Sequence, residues 1–206
     1  MIHEGRIEAR VAITEIARPH VYAVGALAGM EGEVAIVDGA VWIARGDARG
    51  GAAVAGPTDE HAALLVAATV PAWTTVRIET DIPFEQLDAR LEEYARRAGL
   101  DVERPFPFVF EGSLVDVRWH VLTGPPSPGA SPHDHTRNAI IGERAEMNGV
   151  AVGFFSKHHQ GVFTHMGQNV HAHVVDAPSS LVGHADTLSI RAGSVLRLPR
   201  TRVEMP

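Results

Sequence analysis

Between Val21 and Arg45 three short apolar stretches, VYAVGAL, VAIV and AVWIA, are separated by glycine-bearing turns too short to hold a helix. Segments like these can satisfy their backbone polar groups only by pairing edge to edge, so the pattern predicts antiparallel strands. The dipeptide Asp38-Gly39 is a strong hairpin signal between the second and third stretches. Glu33 stands where a turn enters a strand. Strand character returns in WTTVRIET, Trp73 to Thr80, whereas GDARGGAAVAGP, from Gly46 to Pro57, reads as loop. Pro105–Phe110 and Leu114–Leu122 flank Gly112 and Ser113, which predicts a second hairpin. Along its second arm Val115, Val117, Trp119 and Val121 share one face and Asp116, Arg118 and His120 the other. GVAVGFFS, VHAHVV and TLSI add further strands.

One segment carries a different period. Phe84, Leu87, Leu91, Tyr94 and Ala98 recur at helical spacing, with Asp81 as the expected N-cap and Gly99 as the stop, so a helix is predicted over about 82–98. TGPPSPGASPHDH, Thr123 to His135, reads as a linker or lid. The fold class is therefore α+β, mostly β, with mixed sheets and one clear helix. The expected division is a β-rich N-terminal part with the helix, 1–110, and a C-terminal β part, 111–206, joined as one compact unit. A chain of 206 residues with 45% hydrophobic content is long enough for such a core.

Charge and composition exclude several functions. The net charge is -7 and no basic cluster is available to grip phosphates, so nucleic acid is not expected as a partner. AALLVAATV, Ala62 to Val70, is too short to cross a bilayer, and the charged start does not resemble a signal peptide; the reading is cytoplasmic, without a membrane. With no cysteine, thiolate nucleophiles and cysteine metal sites are excluded. Lys157 is the single lysine, which argues against imine chemistry.

Histidine is the exception, with 12 residues, most of them in the C-terminal half. His171-Ala172-His173 places two imidazoles on one side of a strand, and a turn at Ala177–Ser180 could return a neighbouring strand with His184 on the same face. Three neutral imidazoles would hold a divalent metal with coordination positions left open, zinc first, with manganese, iron and nickel as alternatives. His165 is a candidate contact to substrate or to the ligands. His133 and His135 read as solvated loop residues, and the adjacent His158 and His159 cannot both face a site from one strand.

VYAVGALAGMEGEVAIVDGAVW resembles the signature of α-acetolactate decarboxylases, a Gly-x-x-x-Gly-x-x-Gly-Glu stretch represented here by Gly25, Gly29, Gly32 and Glu33. VHAHVV followed by GH is similar to that family's metal motif, and EGSLVDVRWHVLTG to its arginine hairpin. The resemblance implies zinc at His171, His173 and His184, with Glu33 and Arg118 as catalytic residues. It also implies a homodimer and a small 2-hydroxy-3-oxo acid as substrate, 2-acetolactate being decarboxylated to acetoin. His120 stands where the family pattern has a second arginine, and is a further candidate substrate contact. A glutamate that the family draws from a C-terminal extension has no match, because Glu204 follows His184 too closely.

The chemistry suits such a site. Losing carbon dioxide from acetolactate leaves a carbanion equivalent that must be stored as an enediolate, and a metal on the neighbouring oxygens can act as the electron sink. Arg118 could hold the carboxylate by a bidentate contact and Glu33 could move protons. The alternative is a non-catalytic metal-binding or sensor protein of the same fold, since the histidine motif also resembles a smaller domain of DNA-associated proteins. A cupin ranks third, because Ala177 and Pro178 stand where a cupin carries its glutamate.

Overall fold

The computed structural model describes residues 7–46, 53–124, 136–164 and 167–200. Six strands form a first antiparallel sheet: β1 (Val11–Ala12), β2 (Val21–Leu27), β3 (Gly32–Val37), β4 (Ala40–Arg45), β5 (Ala53–Ala55) and β6 (His61–Thr69), in the order β1-β6-β2-β3-β4-β5. β2, β3 and β4 are the three stretches read from the sequence. Asp38 and Gly39 both take positive φ, 50° and 80°, the conformation that a two-residue hairpin turn requires. A short helical turn, α1 (Ile13–Ile16), covers the outer face of this sheet, where Ile13 packs with Val21, Val34 and Ile36.

The second sheet holds β7 (Trp73–Arg77), β8 (Phe106–Val121), β9 (Ile140–Phe155), β10 (Val170–Asp176), β11 (Leu181–Ile190) and β12 (Val195–Pro199), in the order β11-β10-β9-β8-β12-β7. β11 also pairs with β8, so β8, β9, β10 and β11 close into a four-strand ring. The chain passes from the first sheet to the second between Thr69 and Trp73, and residues 110 and 111 both lie within β8.

The two sheets face one another across a cluster to which the first contributes Tyr22, Val24, Ala35 and Val66 and the second Val109, Val152, Phe154 and Val175. α2 (Leu87–Arg97) lies on the far face of the second sheet, where its buried stripe of Leu87, Leu91, Tyr94 and Ala95 meets Phe106, Phe108, Ala172 and Leu188. The helix stops as the sequence predicts. Leu100 N–H donates to the Ala95 carbonyl and Gly99 N–H to that of Arg96, the paired bonds of a glycine C-terminal cap. No helix among the described residues is long and apolar enough to cross a membrane.

Four local expectations are corrected. Asp81 does not cap the helix: its carboxylate accepts from the Ala192 N–H at 2.8 Å and pairs with Arg191, because Pro83 holds the chain extended until a 3₁₀ turn at Phe84–Gln86. α2 accordingly begins at Leu87 rather than near residue 82. The expected loop 46–57 contains β5, whose pairing with β4 extends the sheet by one short strand. Gly112 and Ser113 form no hairpin, since β8 runs through them and pairs with β9 along its whole length. Gly112 instead takes φ 132° where Ser194 passes so close that a Cβ would lie 2.9 Å from its Oγ. The proline-rich stretch falls largely at 125–135, outside the described residues.

Phe154 is wholly buried between the sheets. Phe154→Ala is expected to lower the unfolding free energy by about 3–5 kcal/mol in urea titrations, the usual cost of an aromatic-sized cavity; a change under about 1 kcal/mol would mean that the sheets do not pack through this ring.

Candidate functional site

β10 and β11 form a hairpin through residues 177–180 in which His173 pairs directly with His184. Alternation puts His171, His173 and Val175 on the side facing the first sheet, while Ala172 and Val174 face α2. The three imidazoles therefore converge, with ring centroids 5.2 Å apart for His171 and His173, 4.9 Å for His171 and His184, and 5.4 Å for His173 and His184. One nitrogen from each lies within 4.8 Å of the others, and all three residues are buried.

The donor set fits a metal ion. His171 Nε2 and His173 Nε2 are 3.3 Å apart. Two nitrogens bound tetrahedrally to one zinc at ordinary bond lengths stand about 3.3 Å apart. Burial holds His173 well below the usual imidazole range, helped by the neighbouring His171 and His120, so its ring is neutral as a ligand must be.

Glu33 arrives from β3 of the opposite sheet, on the same face as Ala35 of the inter-sheet cluster. It is 2% exposed, with Oε2 3.6 Å from His173 Nε2 and Oε1 4.0 Å from His120 Nε2. Loss of hydration pushes its carboxyl up to about 8, against the opposing pull of His120 and the Leu122 N–H. The acid is thus protonated at neutral pH, a state suited to donating a proton.

His120 reaches the same space from β8, where strict alternation is broken. Asp116 takes φ 51°, the β11 register shifts opposite it, and Leu114 and Val117 consequently pack in one cluster although three positions apart. Beyond that break Arg118 and His120 share a face, and both turn toward Asp186 of β11. His120 Nδ1 lies 2.7 Å from Asp186 Oδ1, and Arg118 Nε 3.9 Å from Oδ2. Burial lowers the His120 pKa, but the Asp186 hydrogen bond and the nearby Glu33 and Asp186 carboxyl groups outweigh it, and the net direction is upward. The His120 ring packs 4.7 Å from that of His184.

The sequence therefore places Glu33, His120, His171, His173 and His184 in one buried cluster. Arg118 stands at its rim, half exposed and 3.3 Å from Glu143. His165, His133, His135 and Glu204 lie outside the described residues. His158 and His159 have other partners, Glu103 at 3.1 Å and Ser156 at 2.7 Å. Asp186 was not foreseen, although its position two residues after His184 on a strand is the signal that could have found it.

Two apposed antiparallel sheets with a polar site of histidines and one carboxyl between them define the class of protein. Within that class the chain belongs to the α-acetolactate decarboxylase family, whose model, described as alpha-acetolactate decarboxylase, matches residues 1–205. No curated protein matches it in sequence. Among solved structures it is similar to alpha-acetolactate decarboxylase from Bacillus subtilis strain 168, at 14% identity and TM-score 0.77 over 97% of this chain and 82% of that one. It is similar also to acetolactate decarboxylase from Bacillus subtilis subspecies spizizenii, at 14% identity and TM-score 0.78 over 98% and 82%. A protein of unknown function similar to alpha-acetolactate decarboxylase, from Staphylococcus aureus, matches at 16% identity and TM-score 0.74 over 98% and 80%. At these identities the likeness is one of fold.

His184 is seated by its neighbour's missing side chain. The Trp119 indole lies across Gly183 and Gly142, so that a Cβ on Gly183 would come 2.4 Å from Trp119 Cδ1 and 2.9 Å from the His120 carbonyl oxygen. Gly183→Ala is expected to destabilise the protein by about 1–3 kcal/mol, the range for overpacking. Unchanged urea unfolding and unchanged indole fluorescence would contradict this packing.

Proposed function

We propose that the protein is a metal-dependent carboxy-lyase that converts 2-acetolactate, or a closely related 2-hydroxy-3-oxo acid, into carbon dioxide and an acyloin, acetoin in the case of acetolactate. The observation that carries this reading is the convergence of three buried imidazoles from β10 and β11 with the buried carboxyl of Glu33 from the opposite sheet. Membership of the α-acetolactate decarboxylase family supports it.

In this reading His171, His173 and His184 hold a divalent ion, zinc first. Such an ion supplies a Lewis acid that draws electron density from the substrate's hydroxyl and ketone oxygens. Neutral imidazoles leave the charge of the ion undiminished, and the two sheets exclude water from around it. Glu33, the carboxyl group that reaches the ligands from the opposite sheet, would deliver a proton to the carbon that loses carbon dioxide. Arg118 exchanges its exposed partner Glu143 for the substrate carboxylate at the rim.

Purified protein should carry about one divalent ion per chain, lost in His171→Ala and His184→Ala, as elemental analysis would read; unchanged metal content in both variants would overturn the ligand assignment. Metal-loaded protein given racemic acetolactate should release acetoin and carbon dioxide. No acetoin above the metal-only control, with the ion in place, would favour the non-catalytic metal-binding reading. Glu33→Gln preserves the side chain's shape but removes the transferable proton, and should lower kcat by about 10²–10⁴. An unchanged kcat would take the proton-transfer role away from Glu33.

A further inference from the structure

His120 is buried between the Asp186 carboxylate and the Glu33 carboxyl group, and the metal chemistry leaves it without a task. Its Nδ1 is committed to Asp186 Oδ1 at 2.7 Å, the distance of a strong charge-assisted hydrogen bond. That bond fixes the tilt of the ring and aims Nε2 away from Asp186, into the space beside Glu33. Nε2 makes no hydrogen bond among the described residues, and Glu33 Oε1 lies beyond hydrogen-bond reach at 4.0 Å. An oxygen atom about 2.8 Å from each group would sit beside the line that joins them and make its two contacts at roughly a right angle. The space belongs to the three-histidine cluster, since the His120 ring packs on His184 and Glu33 approaches His173.

We propose that His120, oriented by Asp186, is a substrate-binding residue whose Nε2 hydrogen-bonds the hydroxyl of the 2-hydroxy-3-oxo acid, with Glu33 in reach of the same oxygen. The proposal deepens the decarboxylase reading and rests on it. It assigns Asp186, which the sequence motifs do not single out, as the positioning residue. It also divides the work along β8 and β11: Arg118 at the rim meets the carboxylate, and His120 in the interior selects for a hydroxyl on the neighbouring carbon. A 3-oxo acid lacking that hydroxyl would leave Nε2 buried without a partner, which is the basis of discrimination.

The two nitrogens can be separated by substitution, because a glutamine amide falls near the place of Nε2 and an asparagine amide near that of Nδ1. The probe is 2,3-dihydroxy-2-methylbutanoate, in which an alcohol replaces the ketone so that carbon dioxide cannot leave. Its binding to metal-loaded protein is measured by calorimetry, alongside metal content and thermal unfolding of each variant. His120→Gln should bind the probe within about threefold of the unsubstituted protein, while His120→Asn should weaken it about tenfold or more, the loss of one good hydrogen bond.

Asp186→Ala should weaken binding about as much as His120→Asn, and Asp186→Asn, whose Oδ1 still accepts from Nδ1, should recover most of it. In the acetoin assay the same substitutions should act on KM more than on kcat. Equal binding by His120→Asn and the unsubstituted protein overturns the proposal, as does His120→Gln binding as weakly as His120→Asn. If the probe binds with the expected dependence but no acetoin forms, His120 keeps its role and the decarboxylase reading alone falls. If the unsubstituted, metal-loaded protein does not bind the probe, the proposal is overturned, and the decarboxylase reading stands or falls on the acetoin assay alone.

Discussion

A carboxyl group withdrawn from water between two apolar sheets is the constraint around which the rest of the molecule is arranged. Glu33 is placed among valines and alanines of the inter-sheet cluster, where an unpaired negative charge would cost several kcal/mol or neutralise itself. It neutralises itself, and the pKa of about 8 expresses that cost. Among the described residues the polar groups that meet it are few: the His173 ring, which burial holds neutral, the His120 ring, one backbone N–H from Leu122 and, beyond His120, the Asp186 carboxylate at the more open end. The inter-sheet space can therefore hold acid, base and ligand groups within a few ångströms of each other without a network of compensating charges.

The long strand β8 connects this interior to the surface. Its first half pairs with β12 and carries Phe106, Phe108 and Phe110 against α2 and the sheet behind it. Its second half leaves β12 for β11 and brings Arg118 and His120 to the site. The left-handed Asp116, whose carbonyl accepts from Thr187 Oγ1 at 3.0 Å, lies where the register changes. A bulge of this kind re-aims side chains without ending the pairing, and here it lets one strand serve the core in one half and the chemistry in the other.

Much of this was legible in the residues themselves. The Asp38-Gly39 turn, the Gly99 helix stop and the His171-x-His173 pair are local signals, each fixed by φ, by spacing or by alternation, and each is found where expected. What was not legible depends on distant partners. Gly112 reads as a turn because the reason for a glycine there, the close passage of Ser194, lies some eighty residues away in the chain. Asp81 reads as a helix cap until Ala192 is seen to supply its hydrogen bond. Asp186 carries no motif of its own and acquires its place only when β11 is laid against β8. Arg118 and His120 looked equivalent in sequence, two residues apart on one face, yet sheet closure leaves one at the rim and buries the other.

The four-strand ring has a consequence for how the site comes into being. β10 is hydrogen-bonded on both sides, and β11 is held by β10 on one flank and β8 on the other. The three imidazoles therefore ride on backbone that is already fixed by its own ladder bonds, with Val174 and Val182 buried beside them. Small metal-nucleated domains spend much of their binding free energy on ordering the chain around the ion. Here that ordering is supplied in advance by strand closure, so whatever the imidazoles receive enters a preformed cradle, and occupancy and folding become separable events.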